Sequence, residues 1–362
     1  MKANLNLGSV FGIKIKVHWT FIFLIIWIIF SELKRGGNTD SILFNIALVL
    51  AVFACVVMHE LGHALTAKYF GIETKKITLL PVGGMASLER IPESPKQELL
   101  VTLAGPLVNI IIALGLYFII PVQELMHLNF TETFETLSSF SIQNFLFYLY
   151  IINIALVVFN IIPAFPMDGG RILRALLAIK MNRVKATQIA STIGQFIAVL
   201  FLLIGLLYNP FLIFIALVIF LGAYGENQMV QHMALLKGHT VKESLITNFT
   251  TFGPNNKVKD VIEVIISGTE NNFVVLEKDT IKGLLYYQDI IENAKNDSFL
   301  VKDIMNTSFK TVNSNDDLNK LYQLIHSQKN SFFPVIENDK LIGVIDSVNL
   351  NEFILFQPKL DY

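Results

Sequence analysis

The chain has 362 residues, of which 53% are apolar and only 16% are charged, and it contains 29 phenylalanines. This composition lies outside the range of ordinary soluble proteins and indicates a membrane protein. The net charge of −1 excludes a globally basic nucleic-acid-binding protein, and the single cysteine, Cys55, excludes a disulfide within the chain.

Six apolar segments are long enough to cross about 30 Å of hydrocarbon. They predict transmembrane helices near residues 17–33, 42–66, 98–120, 143–162, 190–207 and 210–226. The first segment lacks an A-x-A cleavage site, so we interpret it as an uncleaved helix rather than a signal peptide. His18 and Trp19 at its start are interpreted as anchors at the membrane surface.

Lysine and arginine residues predict the orientation of these helices, because they accumulate on the cytoplasmic side of a membrane. Thirteen of them lie before the first predicted helix or in the loops after the second and fourth helices. Only two, Lys34 and Arg35, lie in the alternate loops. We therefore expect a multi-pass protein of the cell membrane with both termini in the cytoplasm.

The second apolar segment ends in the sequence CVVMHELGHALTAKYFG, at residues 55–71. His59 and His63 are four residues apart, so on a helix both imidazoles project from one face and can reach one metal ion. Glu60 lies between them, and HExxH is the signature of zinc metalloproteases. The alternative, two core histidines without a metal, is disfavoured by the cost of ionisable groups inside a membrane. Counted from Lys68, the histidines lie about 8–14 Å below the cytoplasmic boundary.

A catalytic zinc site usually has three protein ligands, and Asp168 in NIIPAFPMDGGRILRALL is the candidate for the third. Pro163 and Pro166 are expected to break the fourth helix, and Gly169 and Gly170 to allow a tight turn, at the depth of the two histidines. Irregular backbone at this depth is tolerated only where protein buries it or water fills a cavity. The alternative is that Asp168 merely caps the helix that follows.

The segment ITLLPVGGMASLERI, residues 77–91, alternates and bends like a short β-hairpin. Gly83 and Gly84 permit close backbone approach, and an exposed strand edge there could hold an unwound substrate segment by strand addition. The alternative is a structural loop that dips into the membrane.

After residue 226 the composition becomes that of a soluble domain, and this part of the chain contains an internal repeat. Residues 241–292 align with 301–352 without a gap, at a constant offset of 60. The pattern of apolar residues in each copy predicts short helices around a pair of strands. A second, α/β domain is therefore expected after a linker at 227–240.

This repeat resembles a tandem CBS domain pair, a family of small β-α-β-β-α modules that often bind adenine nucleotides. Each module of that family tends to end in Gly-x-x-Thr/Ser-x-x-Asp. The first copy has Tyr286 and Asp289 at the last two of these positions, and the second has Asp346 and Asn349. Because both copies depart from the pattern, an adenine-nucleotide site and a ligand-free dimerisation or docking module both stay open.

Four motifs in the membrane part resemble the site-2 protease family of intramembrane metalloproteases, in its prokaryotic branch with C-terminal CBS domains. They are, in chain order, HELGH at 59–63, PVGGMASL at 81–88, AGPLVN at 104–109 and NIIPAFPMDGG at 160–170. The resemblance implies one zinc ion per chain, held by His59, His63 and Asp168, with Glu60 as the catalytic glutamate. It also implies that Asn160 lies near the scissile bond.

General chemistry agrees with these roles. Zinc lowers the pKa of a bound water toward neutrality, and Glu60 would activate that water as a general base and later protonate the leaving amine. The amide of Asn160 could stabilise the oxyanion in a water-poor site; a hydrogen bond between helices is the alternative. Asn109 is interpreted as such a packing residue.

We therefore predict an α-helical polytopic membrane domain of six transmembrane helices at residues 1–226, followed by CBS repeats at 241–292 and 301–352. The predicted function is an intramembrane zinc endopeptidase that cuts peptide bonds in or near transmembrane segments. Its expected partners are a transmembrane protein substrate and the lipid bilayer, with no nucleic acid; an adenine nucleotide and a second copy of the chain are the two open alternatives at the CBS pair.

Two other function classes compete with this prediction. A CBS-regulated transporter or channel could line an ion path with the same residues, but a complete metal triad with a base and the lack of an inverted repeat disfavour it. A membrane-embedded zinc hydrolase of a lipid or small molecule would use the same ligands. The substrate itself is not specified by the sequence.

Overall fold

The computed structural model of the protein describes residues 4–81, 83–88, 92, 94–121, 141–294, 299–327 and 331–360. The contacts divide the chain into a first unit, Met1–Gln228, and a second unit, Met229–Tyr362.

The first unit is mainly α-helical and contains one small sheet. Its elements are β1 (Asn4–Val10), β2 (Ile13–His18), α1 (Phe21–Lys34), α2 (Thr39–Tyr69), β3 (Thr74–Leu80), β4 (Gly83–Leu88), α3 (Pro95–Ile119), α4 (Ile142–Ile161), α5 (Asp168–Ala178), α6 (Arg183–Leu207) and α7 (Phe211–Leu235). Among the described residues, α2, α3, α4, α6 and α7 are long and apolar enough to cross a membrane. These five helices confirm that five of the six predicted segments form long apolar helices. Helix α7 ends at Leu235, so the first part of the predicted linker is helical.

The first predicted segment, 17–33, differs from what the structure contains. Residues 13–18 form strand β2, so the prediction of a helix from residue 17 is wrong, because pairing with β1 and β3 satisfies that backbone instead. Helix α1 has 14 residues, which is about 21 Å of helix. The count of six crossings therefore stays a prediction.

The sheet of the first unit has the strand order β1-β2-β3-β4. Strands β3 and β4 pair in antiparallel fashion, with Leu80 opposite Gly83, which confirms the predicted hairpin. Ile13 and Ile77 on one face of the sheet pack with Leu61 and Ala64 of α2. This packing places the sheet beside the turn of α2 that carries the HExxH motif.

The second unit contains two copies of one motif. Its elements are a 3₁₀ turn (Val241–Ser244), β5 (Thr251–Phe252), α8 (Val258–Ser267), β6 (Phe273–Glu277), β7 (Thr280–Leu285), α9 (Tyr287–Asn293), α10 (Val301–Ile304), β8 (Val312–Asn313), α11 (Leu318–Ser327), β9 (Phe332–Glu337), β10 (Lys340–Asp346) and α12 (Ser347–Leu360). Each copy forms a three-stranded sheet, with a parallel pair followed by an antiparallel hairpin.

The two copies also exchange backbone contacts. Ile246, which precedes the first sheet, bridges to Val344 of the second sheet, and Asn306 bridges to Leu284 of the first. The two bridges are related by the offset of 60 residues that the sequence predicts. The repeat therefore includes the backbone bridges between the two copies as well as the fold of each copy.

Candidate metal centre

Helix α2 presents His59 and His63 on one face, as the four-residue spacing predicts. Their Nε2 atoms are 3.1 Å apart, and the two residues are only 8% and 7% exposed. Few contacts with water remain at this position, so the two ring nitrogens need a partner from the protein or a bound ion.

Asp168 supplies the third group from the start of helix α5. Its Oδ2 atom lies 3.2 Å from the Nε2 atom of each histidine. The alternative of a simple helix cap does not describe its position, because Met167 is the N-cap residue and that cap has no side-chain hydrogen bond. The carboxylate of Asp168 instead faces the two imidazoles across 105 residues of sequence.

The connection between α4 and α5 brings Asp168 to this point. Helix α4 ends at Ile161, which confirms the break predicted from Pro163 and Pro166. The two glycines after Asp168 do not make the predicted turn: they lie inside α5. A Cβ atom on Gly169 would lie 2.1 Å from the carbonyl oxygen of Ile162, and one on Gly170 would lie 2.6 Å from the backbone nitrogen of Phe165. They are therefore needed for close packing of α5 against the chain that precedes it.

Helix α3 packs closely against α2 at the two histidines. A Cβ atom on Gly62 of α2 would lie 2.7 Å from the carbonyl oxygen of Ala104, so only glycine lets the two helices approach this closely. A Cβ atom on Gly105 would lie 2.2 Å from Nε2 of His63 and 2.8 Å from Nε2 of His59. The missing side chain of Gly105 leaves the space in front of both histidines free.

The donors and acceptors of this cluster suit a cation. Nδ1 of His63 is 2.8 Å from the carbonyl oxygen of Val101, which can only accept, so Nδ1 carries the proton and Nε2 presents a lone pair. Oδ2 of Asp168 is buried and makes no hydrogen bond. Atoms bound at about 2.0 Å to one tetrahedral ion stand roughly 3.3 Å apart, close to the observed spacing. Among the described residues, this is the cluster that could hold a metal ion.

Glu60 follows His59 on α2 and is half-buried beside strand β4. A Cβ atom on Gly84 would lie 2.8 Å from Cγ of Glu60 and 3.2 Å from its Oε1 atom. The GG sequence thus brings the backbone of β4 directly against the predicted base. This contact gives a physical reason for one of the two glycines that the sequence analysis singled out.

Asn160 lies near the end of α4, and its amide donates a hydrogen bond to the carbonyl of Leu156 on the same helix, at 2.9 Å. The sequence analysis expected this amide to contact either a substrate oxyanion or another helix, and the observed bond is neither. The role of Asn160 near a substrate therefore stays a prediction. Asn109 does contact another helix, as expected, but it also contacts His59 directly. Asn153, its partner on α4, was not identified from the sequence, where the available signal was a polar residue within an apolar stretch.

A buried ion network is centred on Arg174 of α5. The guanidinium of Arg174 donates to Glu98 on α3 and to Glu226 on α7, and Glu98 also pairs with Arg183 at 3.1 Å. Arg174 is 1% exposed. The charged side chains of four helices, α3, α5, α6 and α7, therefore pair with one another in a position that is shielded from water.

Comparison with known proteins agrees with this geometry. The family model described as peptidase family M50 matches residues 47–205. Zinc metalloprotease MJ0392 of Methanocaldococcus jannaschii is 31% identical over 97% of this chain and 96% of its own length. The chain belongs to the site-2 proteases, peptidase family M50. This M50 protein is also 29% identical to the protein sll0528 of Synechocystis sp., over 97% of this chain and 95% of that relative.

A solved structure of a site-2 protease from Methanocaldococcus jannaschii shares 37% identity and covers 62% of this M50 chain and 95% of its own, with a TM-score of 0.45. A CBS domain model matches residues 301–355. Together with the repeat, this match identifies the second unit as a CBS pair. The protein is therefore a zinc metalloprotease with membrane-type helices and a CBS pair, and the transporter alternative is not favoured.

Proposed function

We propose that the chain is an intramembrane zinc endopeptidase that hydrolyses peptide bonds in or near the transmembrane segments of other proteins. The observation that supports this most directly is the convergence of His59, His63 and Asp168 beside Glu60. His59, His63 and Asp168 would hold one zinc ion per chain. When bound, zinc acidifies water and polarises the carbonyl group under attack.

The residues around the cluster have distinct roles in this proposal. Glu60 takes the proton of the attacking water and later passes it to the leaving amine, as a general base and then a general acid. Gly84 keeps the backbone of β4 against Glu60, and burial of the histidines keeps bulk water away. Asn160 would donate its amide to the developing oxyanion after releasing the carbonyl of Leu156.

Strand β4 offers a place for the substrate. It is an edge strand of the described sheet, so one row of its backbone groups can pair with an added strand. A helical substrate hides its amide groups in its own hydrogen bonds, and cleavage requires that it unwind locally. Pairing with β4 would hold the unwound segment next to Glu60.

The remaining parts of the chain complete the proposal. Both termini would lie in the cytoplasm, with six crossings and the site near the inner face of the cell membrane. The CBS pair, at 241–292 and 301–352, would act as a regulatory module through an adenine nucleotide or a second copy of the chain. In the second copy, Oδ1 of Asp346 accepts the backbone N–H of Asn349 at 2.8 Å, so this carboxylate already has a partner.

The proposal is tested by reconstituting the full chain in liposomes with a panel of single-span protein substrates. Glu60→Gln should lower the cleavage rate by about 10²–10⁴-fold, because the base is lost. Zinc content, measured in the same sample, should not change, because Glu60 is not a ligand. Glu73→Gln, at an exposed glutamate, is the matched control and should cleave normally.

Equal cleavage by the native chain and Glu60→Gln would contradict the role of Glu60. Ion flux through these liposomes that survives both Glu60→Gln and zinc chelation would instead support the transporter alternative. Hydrolysis of lipid without cleavage of any protein in the panel would support the third class.

A further inference from the structure

Two buried asparagines form a continuous hydrogen-bonded chain behind His59. Nδ1 of His59 is 2.6 Å from Oδ1 of Asn109, and Nδ2 of Asn109 is 2.9 Å from Oδ1 of Asn153. Nδ2 of Asn153 then reaches the carbonyl oxygen of Leu149 at 2.8 Å. Both asparagines are 0% exposed. The chain runs from α2 through α3 to α4, the helices that surround the metal cluster.

The direction of this chain is set at its far end. The carbonyl of Leu149 can only accept a hydrogen bond, so the amide nitrogen of Asn153 must face it. The same nitrogen also lies 3.5 Å from Sγ of Cys55, which is a weak acceptor. Oδ1 of Asn153 therefore faces Asn109 and accepts from the amide nitrogen of that residue.

The orientation of Asn109 then determines the tautomer of His59. Because the nitrogen of Asn109 faces Asn153, its oxygen faces His59 and can only accept. Nδ1 of His59 must therefore carry the proton, and Nε2 presents a lone pair. Nε2 of His63 has the same state, because Nδ1 of that ring faces a backbone carbonyl.

We propose that Asn109 and Asn153 are positioning residues that fix His59 with its Nε2 lone pair aimed at the metal. The role rests on the metal site proposed above. Packing alone needs no particular amide orientation. The hydrogen-bonded chain from Leu149 through Asn153 and Asn109 to His59, called the relay below, requires one orientation of each amide. A buried amide in an apolar interior is costly unless it is bonded, and here both amides contribute to a bonded chain that ends on a metal ligand. Such outer partners orient a ligating histidine and strengthen its binding.

The test measures zinc affinity of the purified full chain by competition with a chromophoric chelator. Asn109→Leu removes the acceptor for His59 while keeping a branched side chain with the same number of heavy atoms, and it should weaken zinc binding about 10–100-fold. Asn109→Asp keeps an acceptor for Nδ1 of His59 and should restore most of that loss. Asn153→Leu leaves Asn109 free to turn its nitrogen toward His59 and should give an intermediate loss.

Asn144→Leu is the matched control, since Asn144 is also a buried asparagine on α4 but lies nine residues before Asn153, about 14 Å along the helix. It should bind zinc as the native chain does. The absorption spectrum of the cobalt-substituted chain provides a second readout, and it should change for Asn109→Leu but not for Asn144→Leu.

The inference is overturned if Asn109→Leu binds zinc with native affinity, or if Asn109→Asp is as weak as Asn109→Leu. It is also overturned if Asn144→Leu loses as much affinity as Asn109→Leu, because the effect would then be general destabilisation. A native chain that binds no zinc overturns the relay and the metal site together. Tight zinc binding with the expected order of variants, but without proteolysis, overturns only the proposed endopeptidase.

Discussion

Gly105 faces the two histidines from helix α3, at a position where any side chain would overlap their rings. A methyl group there would come within 2.2 Å of Nε2 of His63. In an ordinary helix, replacing glycine with alanine stabilises the fold by roughly 0.5–1 kcal/mol. At Gly105 the overlap with the two rings cancels this gain and also opposes metal binding, so stability and zinc affinity should fall together.

We expect Gly105→Ala to lose zinc affinity by more than about tenfold and to lose proteolysis with it, because the new methyl group occupies the space between the ligands. Zinc titration and the cleavage assay measure the two effects. Gly115→Ala is the control on the same helix, since a Cβ atom there meets nothing within 4 Å. Normal zinc binding by Gly105→Ala would contradict the assigned position of the ion.

At the scale of the secondary-structure elements, helix α5 depends on Arg174 for its placement. The helix is short, begins with the metal-ligand candidate Asp168 and carries the buried Arg174 in its second turn. Since Arg174 contacts both Glu98 and Glu226, it ties α5 to α3 and α7 at once. The same contacts hold Asp168 in front of the histidines.

Arg174→Met should therefore destabilise the protein by about 3–5 kcal/mol, because it leaves a buried carboxylate without its main partner. The free energy of unfolding in detergent micelles measures this change. Arg171→Met, at an exposed arginine on the same helix, should cost less than about 1 kcal/mol. Similar losses for the two variants would show that burial of Arg174 contributes little.

Whether the short helix α1 crosses the membrane can be tested by labelling residues on either side of it. If it crosses the membrane, cysteines placed at Lys14 and Thr39 should react with a membrane-impermeant thiol reagent from opposite sides of the cell membrane. The native thiol, Cys55, is buried and should give little background. Labelling of both positions from the same side would show that α1 does not cross and would reduce the number of crossings to five.

At the scale of the whole molecule, metal binding and folding of the first unit should be linked. Both tryptophans, Trp19 and Trp27, lie in that unit, so their fluorescence reports its unfolding. Zinc present at 1,000 times its dissociation constant should stabilise the unit by about 4 kcal/mol.

Chelation should therefore lower the midpoint of the fluorescence transition of the native chain. Asp168→Asn, which weakens the site, should unfold near the chelated midpoint with or without zinc. An equal response of the native chain and Asp168→Asn to chelation would mean that zinc stabilises the protein at some other place.

Several features of this protein follow from sequence patterns of short range. The long apolar helices of the described residues depend on hydrophobic runs, and the HExxH pair depends on a four-residue spacing. The CBS repeat has a longer range, but its constant offset of 60 is also visible along the chain. The helix break before Asp168 follows from two prolines. Such features depend on local backbone geometry, which the sequence determines directly.

The tertiary structure alone decided the rest. Strand β2 lies inside the sheet because β3 pairs with it from more than 50 residues away, although the alternation in NLNL and IKIKV already favours strands. Gly105, Gly169 and Gly170 could not be interpreted as close-packing residues until their neighbours were known. The Asn109–Asn153 relay is likewise a contact between helices. It could not be predicted, because a polar residue in an apolar segment does not indicate which residue it will contact. Local pattern thus identified the candidate ligands, whereas packing between distant segments decided how these side chains meet and which groups orient them.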